Sequence, residues 1–192
     1  MNNLVVLASH GGSILQTILS ACDDKLLNAK VTLVISNNSA AKALRRAEQH
    51  GVATLHLSAQ THPNSVDRDK VMLQAIEEAK ADWVVLAGYM KKLGGQTLER
   101  FSGRIINTHP ALLPKYGGSG FYGRKVHEAV LAAQDTESGA TVHLVDGDYD
   151  TGAILSQVRV AVHPDDSVEA LEERVKVAER RLMIETLNNL IS

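Results

Sequence analysis

The chain has a single cysteine, Cys22, in 192 residues. No disulfide can close within it, which suits a reducing compartment. It also lacks an excess of either charge, since 20 Lys and Arg face 22 Asp and Glu for a formal net charge of −2. That balance lacks the broadly basic footprint of a nucleic-acid binder. It gives no steering field over the whole molecule and leaves room only for a local basic pocket. No apolar run approaches the roughly 18 residues of a membrane span. The start, Met1-Asn2-Asn3-Leu4, carries neither the basic residues nor the cleavage site of a secretory leader. Low-complexity tracts are absent and Val, Ile and Leu are spread regularly, which excludes disorder. What remains is 44% hydrophobic and 22% charged, and a chain of this length buries roughly 70% of its unfolded surface. The expectation is one cytoplasmic globular domain with small-molecule partners, no nucleic acid and no membrane.

Short apolar runs alternate with longer helical stretches through the first half. Leu4 to Ala8, Val31 to Ile35, Ala53 to Leu57, Trp83 to Ala87 and Arg104 to Asn107 read as strands. The first is apolar throughout, as a strand covered on both faces should be. Ser13 to Ala21, Ala40 to His50 and Ser65 to Lys80 read as the intervening helices, the second stopped by Gly51. Such alternation implies right-handed βαβ units. The predicted architecture is α/β, a doubly wound, mostly parallel twisted sheet with helices on both faces. After Pro114 the pattern changes. Lys115 to Gly123 holds four of the 14 glycines, too many for a regular element. Val126 to Ala133 is a short helix, and Thr141 to Val145 pairs with Ala153 to Val162 around a loop. Val168 to Ile191 is a closing helix with Val168, Leu171, Val175, Ala178 and Leu182 on one stripe. With no repeat and no linker, residues 1–192 read as one domain.

Ligands of open parallel sheets bind outside the carboxyl ends of the strands, and three places there carry chemistry. Ser9-His10-Gly11-Gly12-Ser13 follows the first strand. It reads equally as a plain βα turn with Ser13 as N-cap and as a monophosphate site on a helix N-terminus. It has neither the G-x-G-x-x-G pattern nor the P-loop lysine. Asn107-Thr108-His109-Pro110 ends the fifth strand. Residues two apart share a face of an extended chain, so an amide and an imidazole meet there. Such a pair can hold charge developing on a carbonyl oxygen and move a proton. Asp146-Gly147-Asp148-Tyr149-Asp150-Thr151-Gly152 carries three carboxylates. It lacks the distal Glu and the spacing of a calcium loop, so no metal is expected. A carboxylate from this loop placed near His109 would raise its pKa and orient it.

No G-x-S-x-G, H-E-x-x-H or Cys–His arrangement is present. Cys22 reads as inert packing. His50, His56, His62, His127, His143 and His163 show no ligand spacing and read as ordinary histidines. Arg45, Arg46, Arg180 and Arg181 read as solvated helix faces.

Asn107-Thr108-His109-Pro110-Ala111-Leu112-Leu113-Pro114, then Ser138-Gly139-Ala140-Thr141-Val142-His143 and Asp150-Thr151-Gly152-Ala153-Ile154-Leu155-Ser156-Gln157, resemble the folate-dependent formyltransferase fold family. Within it the resemblance is to the enzymes of purine biosynthesis, and it runs over nearly the whole chain. It implies transfer of the formyl group of 10-formyltetrahydrofolate, a cosubstrate, to the amine of glycinamide ribonucleotide. The amine attacks directly, no covalent enzyme intermediate forms and no metal takes part. Asn107 and His109 match the catalytic Asn and His, and Asp150 matches the Asp that raises the histidine's pKa. Gly12, Ser13 and Ile14 match the loop that binds the ribonucleotide phosphate, and Lys176 and Glu179 fall where the family contacts that substrate. Lys176 reads equally as part of an exposed helix face. Tyr89, Met90, Lys91, Lys92 and Leu93 are similar to the segment that holds the reduced folate's pterin, with Asp146 to Asp150 closing the other side and Asn107 and Asp150 reaching it. A monomer or a homodimer would serve.

The chain departs from the family's usual first loop, S-G-x-G-S-N. His10 stands for a Gly, and Ile14 for an Asn that donates near the phosphate. Backbone donors survive this, so Ile14 bears chiefly on ribonucleotide affinity. An Arg usual near Ser65 is missing, with Arg68 close but out of register. The glycine-rich Gly117 to Gly123 segment reads as a mobile flap. The neighbouring readings are a 10-formyltetrahydrofolate hydrolase, a formyltransferase acting on another amine, and a non-catalytic binding module. The regulatory or tRNA-binding domains that such relatives append find no counterpart in these 192 residues, so the ribonucleotide enzyme is the expectation.

Overall fold

The computed structural model describes all 192 residues. Its elements run in chain order β1 (Asn2–Leu7), α1 (Ser13–Asp23), β2 (Ala29–Ser36), α2 (Lys42–Gln49), β3 (Ala53–His56), α3 (Ser65–Glu78), β4 (Trp83–Leu86), α4 (Gly95–Arg100), β5 (Ile105–His109), α5 (Arg124–Ala132), β6 (Glu137–Leu144), β7 (Ile154–Ala161) and α6 (Val168–Ile191). One seven-stranded sheet has the order β3-β2-β1-β4-β5-β6-β7. The first five strands are parallel, and β6 and β7 are antiparallel to their neighbours. The doubly wound α/β prediction is therefore met.

Along β1, Leu4 and Val6 enter one core and Val5 and Leu7 the other. This alternation is why the strand is apolar at every position: both faces are covered by helices. The first core holds α1, α2 and α6, and the second holds α3. Removing one of the fully buried leucines from either would cost about 2–5 kcal/mol. The closing helix lies over β6 and β7 and against α1 and α5. Leu171, Val175 and Leu182 of its expected stripe are buried, joined by Met183 and Leu187, whereas Val168 and Ala178 are only partly covered.

β6 begins at Glu137, four residues before the expected Thr141, and two further elements depart from expectation for identifiable reasons. β5 runs on to His109, so the amide and the imidazole stand on the strand itself. The short α4 is anchored from outside, because Asp69 of α3 accepts hydrogen bonds from Gln96 N (2.8 Å), Thr97 N (3.3 Å) and Thr97 Oγ1 (2.6 Å). A Cβ on Gly94 would collide with the same carboxylate. The cap comes from a residue 27 positions away in sequence, and local propensity carries no trace of it. The strand order reverses at β1, whose neighbours are β2 and β4. In such sheets the ligand crevice opens at that switch, outside the carboxyl ends.

Candidate active site

β1 hands the chain to the Ser9–Ser13 turn. Ser9 N donates to the Gly88 carbonyl (3.1 Å), and the His10 carbonyl accepts from Ala43 N (3.1 Å). Gly12 is left-handed, with φ at 69°, and a Cβ there would sit 2.9 Å from Ala43 Cβ. Glycine is required on both counts. The N-cap of α1 is Gly12, with no side-chain cap, so the reading of Ser13 as N-cap is corrected. The first-turn N–H groups stay unpaired by any side chain, as an anion site needs. Ile14 packs into the core, which leaves only its backbone for a ligand. Arg46 is no solvated face: it donates through Nε to the Gly11 carbonyl (2.9 Å) and through a terminal nitrogen to Gln16 (2.9 Å), pinning the turn from α2.

This turn lines a cavity of about 770 Å³, within the size range of small-molecule sites. Asn107, His109 and Asp150 line it, together with His127, Met90, Lys176 and Glu179. The predicted trio thus meets in space. Asp150 Oδ2 lies 3.4 Å from His109 Nδ1 and accepts from Gly118 N at 3.0 Å. Oδ1 lies 3.4 Å from His143 Nε2, and Asn107 Nδ2 reaches both this oxygen (3.5 Å) and His143 Nε2 (3.2 Å). His109 Nε2 is 2.6 Å from the Tyr116 carbonyl. The glycine-rich segment therefore contacts both catalytic candidates through its backbone. Asp150 itself is left-handed, at φ 59°, a conformation that Asp tolerates better than most residues and one often stored at functional sites.

Burial is the larger influence on the His109 pKa, although Asp150 raises it, as expected of a nearby carboxylate. Burial pulls the His109 imidazolium below its ordinary pKa, and the nearby Asp150 carboxylate and Tyr116 carbonyl offset this only in part. The net shift is downward, so the resting ring is neutral. Burial pushes the Asp150 carboxyl up, but His143, the charge of His109 and Gly118 N outweigh it and hold it below the usual range. A neutral imidazole beside an ionised carboxylate is a proton acceptor whose charged form has its counter-charge already in place.

Glu179, also on the cavity wall, accepts from Thr108 Oγ1 (2.9 Å), and burial lifts its carboxyl above the ordinary range. Lys176 pairs with Glu172 at 2.6 Å and lines the cavity, so it is more than part of an exposed helix face. On the side of β4, Ser9 Oγ accepts from Met90 N (2.8 Å) and donates to Asn37 Oδ1 (2.5 Å). Lys91, Lys92 and Leu93 do not reach the main cavity. They line a narrow pocket of about 50 Å³ with Asn107, His143 and Asp150, and an open one of about 800 Å³ with Arg68. Lys92 Nζ bonds Asp148 (3.0 Å) and lies 4.9 Å from the Tyr149 ring, closing the narrow pocket. Asp146 is exposed and accepts from Thr151 Oγ1 (2.8 Å). It lines neither of these pockets nor the main cavity, so the wall runs from Gly147 to Asp150 instead.

The sequence reading took His143 and His127 as ordinary, Arg46 as a solvated face and Arg68 as out of register, and gave Ser9 no role of its own. His143 stood in the Gly-Ala-Thr-Val-His run. Its importance comes from the register that pairs it with Asn107, which sequence spacing does not reveal. No trio of His, Cys, Asp or Glu side chains is arranged to hold a metal ion. Cys22 is half-buried and carries a thiol pushed up to about 11, chiefly by burial, the reverse of what a nucleophile needs. No helix is long and apolar enough to cross a membrane.

A parallel sheet closed by an antiparallel hairpin, with an Asn-x-His pair on β5 and a hairpin carboxylate held against it, is an acid–base site suited to carbonyl chemistry. The chain belongs to the formyl transferase family, whose model matches residues 2–187. It is similar to the phosphoribosylglycinamide formyltransferase of Haemophilus influenzae, 38% identical over 95% of this chain and 84% of that one. It is also similar to the chloroplastic enzyme of that name from Arabidopsis thaliana, 37% identical over 96% of this chain and 63% of that one. The crystal structure of glycinamide ribonucleotide transformylase 1 from Geobacillus kaustophilus superposes over the full length of both chains, with a TM-score of 0.93 at 33% identity.

Proposed function

We infer that this protein transfers the formyl group of 10-formyltetrahydrofolate to the amine of glycinamide ribonucleotide. The observation that carries the reading is one cavity lined both by the Gly12–Ser13 turn, with its uncapped helix N-terminus, and by His109, Asn107 and Asp150. The near-neutral chain matches a substrate with a single phosphate. Gly12, Ser13 and the Ile14 backbone hold that phosphate with help from Lys176, and Glu179 accepts from the ribose hydroxyls. Met90 to Leu93 and the Gly147–Asp150 wall take the pterin. The narrow pocket beside Lys92 must widen for it, since ligand sites run to about 300 Å³ or more.

The amine nitrogen attacks the formyl carbon, and the carbonyl π electrons move to oxygen. The Asn107 amide N–H faces the oxyanion, and once the Tyr116 carbonyl releases the ring, His109 Nε2 is free to accept a proton while Nδ1–H faces Asp150. His109 takes the proton shed by the amine nitrogen, with Asp150 as its counter-charge. It returns that proton to N10 of the folate as the carbon–N10 bond breaks. The products are formylglycinamide ribonucleotide and tetrahydrofolate, and the enzyme ends as it began. Holding both substrates in one cavity supplies the proximity term.

The test is to supply 10-formyltetrahydrofolate with and without glycinamide ribonucleotide and follow tetrahydrofolate. Release only with the ribonucleotide supports the reading. Release without it makes the protein a hydrolase, and no release in either case makes it a binding module.

A further inference from the structure

We propose that His127 is a contact residue for the phosphoribosyl portion of the amine substrate. This deepens the functional reading above and rests on it. His127 stands in the first turns of α5, is 1% exposed, and has a buried Nδ1 with no hydrogen-bond partner. Buried polar side-chain atoms are nearly always paired, and an exception needs a physical account. The only other such atom, Ser138 Oγ, lies outside the main cavity, whereas His127 is part of its wall.

The surroundings indicate which ligand completes the ring. α5 packs against α6, and the titratable groups that act on His127 are Glu172 and Lys176 of that helix and His109 of β5. Burial lowers its pKa, Glu172 opposes this, and Lys176 and His109 add to it, for a net downward shift. A neutral imidazole offers one donor and one acceptor, which matches hydroxyl and phosphate oxygens lying beside the Lys176 ammonium. His127 shares this cavity with the Gly12–Ser13 turn, and it lines neither pocket that holds Lys91, Lys92 and Leu93. Its effect should therefore fall on the ribonucleotide and spare the folate.

The experiment varies each substrate in turn for wild type, His127→Leu, His127→Asn and His127→Gln. In His127→Leu the KM for glycinamide ribonucleotide should rise by about tenfold, the loss of one useful hydrogen bond. The KM for 10-formyltetrahydrofolate should stay within about twofold. Asn, which places its amide near Nδ1, or Gln, which places it near Nε2, should recover part of the loss. An unchanged ribonucleotide KM, or both KM values rising together, overturns the proposal. Should the variants fail to fold, the ring nitrogen signals of wild-type His127 are titrated with glycinamide ribonucleotide: a shift at saturation supports the contact, and a signal that does not move overturns it. Absence of ribonucleotide-dependent turnover in the wild type overturns the functional reading and this proposal with it. Normal turnover with an indifferent His127 overturns the proposal alone.

Discussion

Asp150→Asn keeps the shape of the side chain, removes its charge, and isolates what the carboxylate does for His109. Asn also tolerates the left-handed backbone at this position better than most residues, where φ is 59°. In the proposed reaction, His109 becomes an imidazolium as it takes the amine proton, 3.4 Å from Oδ2. The two side chains are only 5% and 9% exposed, so water screens them weakly. At that distance and an effective dielectric of about 20, the attraction is about 5 kcal/mol. This caps the loss at a little under four powers of ten in rate. The neutral amide retains some hydrogen bonding, so kcat should fall by about 10²–10³. Both KM values should change by less than about threefold, because the charge pair exists only on the way to the transition state. Loss of the carboxylate also removes the strongest upward influence on His109, so its limb of the pH–rate profile should move to lower pH. Stability supplies an independent check. The Asp150 carboxyl is held below its ordinary value in the folded state. Its contribution is therefore present above the unfolded carboxylate range and is lost as pH falls through the folded value. The variant should be the less stable protein at neutral pH, and the gap should close in acid. Single-turnover formation of tetrahydrofolate measures the rate, and denaturant titrations measure stability. An unchanged kcat, or a loss appearing only as higher KM, would refute this account of Asp150.

Three further outcomes follow from contacts around the cavity. Ser9→Ala leaves Met90 N and Asn37 Oδ1 short of a partner at a cost of about 1–3 kcal/mol. Because Ser9 ties the first loop to the folate segment, the KM values of both substrates should rise together, and a change confined to one would show that no such coupling exists. Lys92→Met removes an ion pair whose side chains are 48% and 79% exposed, so the melting temperature should move little. Stopped-flow binding of a reduced folate should nevertheless accelerate in both directions, and unchanged kinetics would mean the Lys92–Asp148 contact does not gate the pocket. Gly12→Ala should cost about 1–2 kcal/mol for the left-handed backbone and more for the encounter with Ala43, while raising the ribonucleotide KM. Adding Ala43→Gly should return only part of the steric cost in thermal melts, since the Ala43 Cα stays 3.0 Å from the new Cβ, and leave the backbone part.

The fold was legible wherever a residue's role is decided by its neighbours in sequence. β1 reads as a strand because Leu4 to Leu7 must face two cores, and α6 carries its own N-cap, Ser167, which accepts from Ala170 N. α4 was invisible because its cap is Asp69, brought up by the packing of α3. The same division runs through the site. Asn107 and His109 were found from their spacing along a strand, since alternation on an extended chain is a local property. Asp150 came from the resemblance and was then located by contact. Arg46 looked like a surface charge because nothing in its own helix shows the Gly11 carbonyl waiting across the turn.

His143 shows most directly why the remainder was hidden. As a lone histidine with no ligand spacing it reads as ordinary, and nothing in β6 alone argues otherwise. Antiparallel pairing sets it opposite Asn107, and closure of the hairpin between Leu144 and Ala153 returns the chain so that Asp150 meets both His143 and His109. A one-residue slip of that register would turn His143 to the other face of the sheet and remove one of the two rings that hold the carboxylate. β6 and β7 thus do more than extend the sheet. The parallel part supplies the floor of the crevice and the Asn-x-His pair, and the antiparallel hairpin fixes the carboxylate that makes His109 a competent proton acceptor. On the proposed mechanism, catalysis depends on hairpin register as well as on Asn107, His109 and Asp150 themselves.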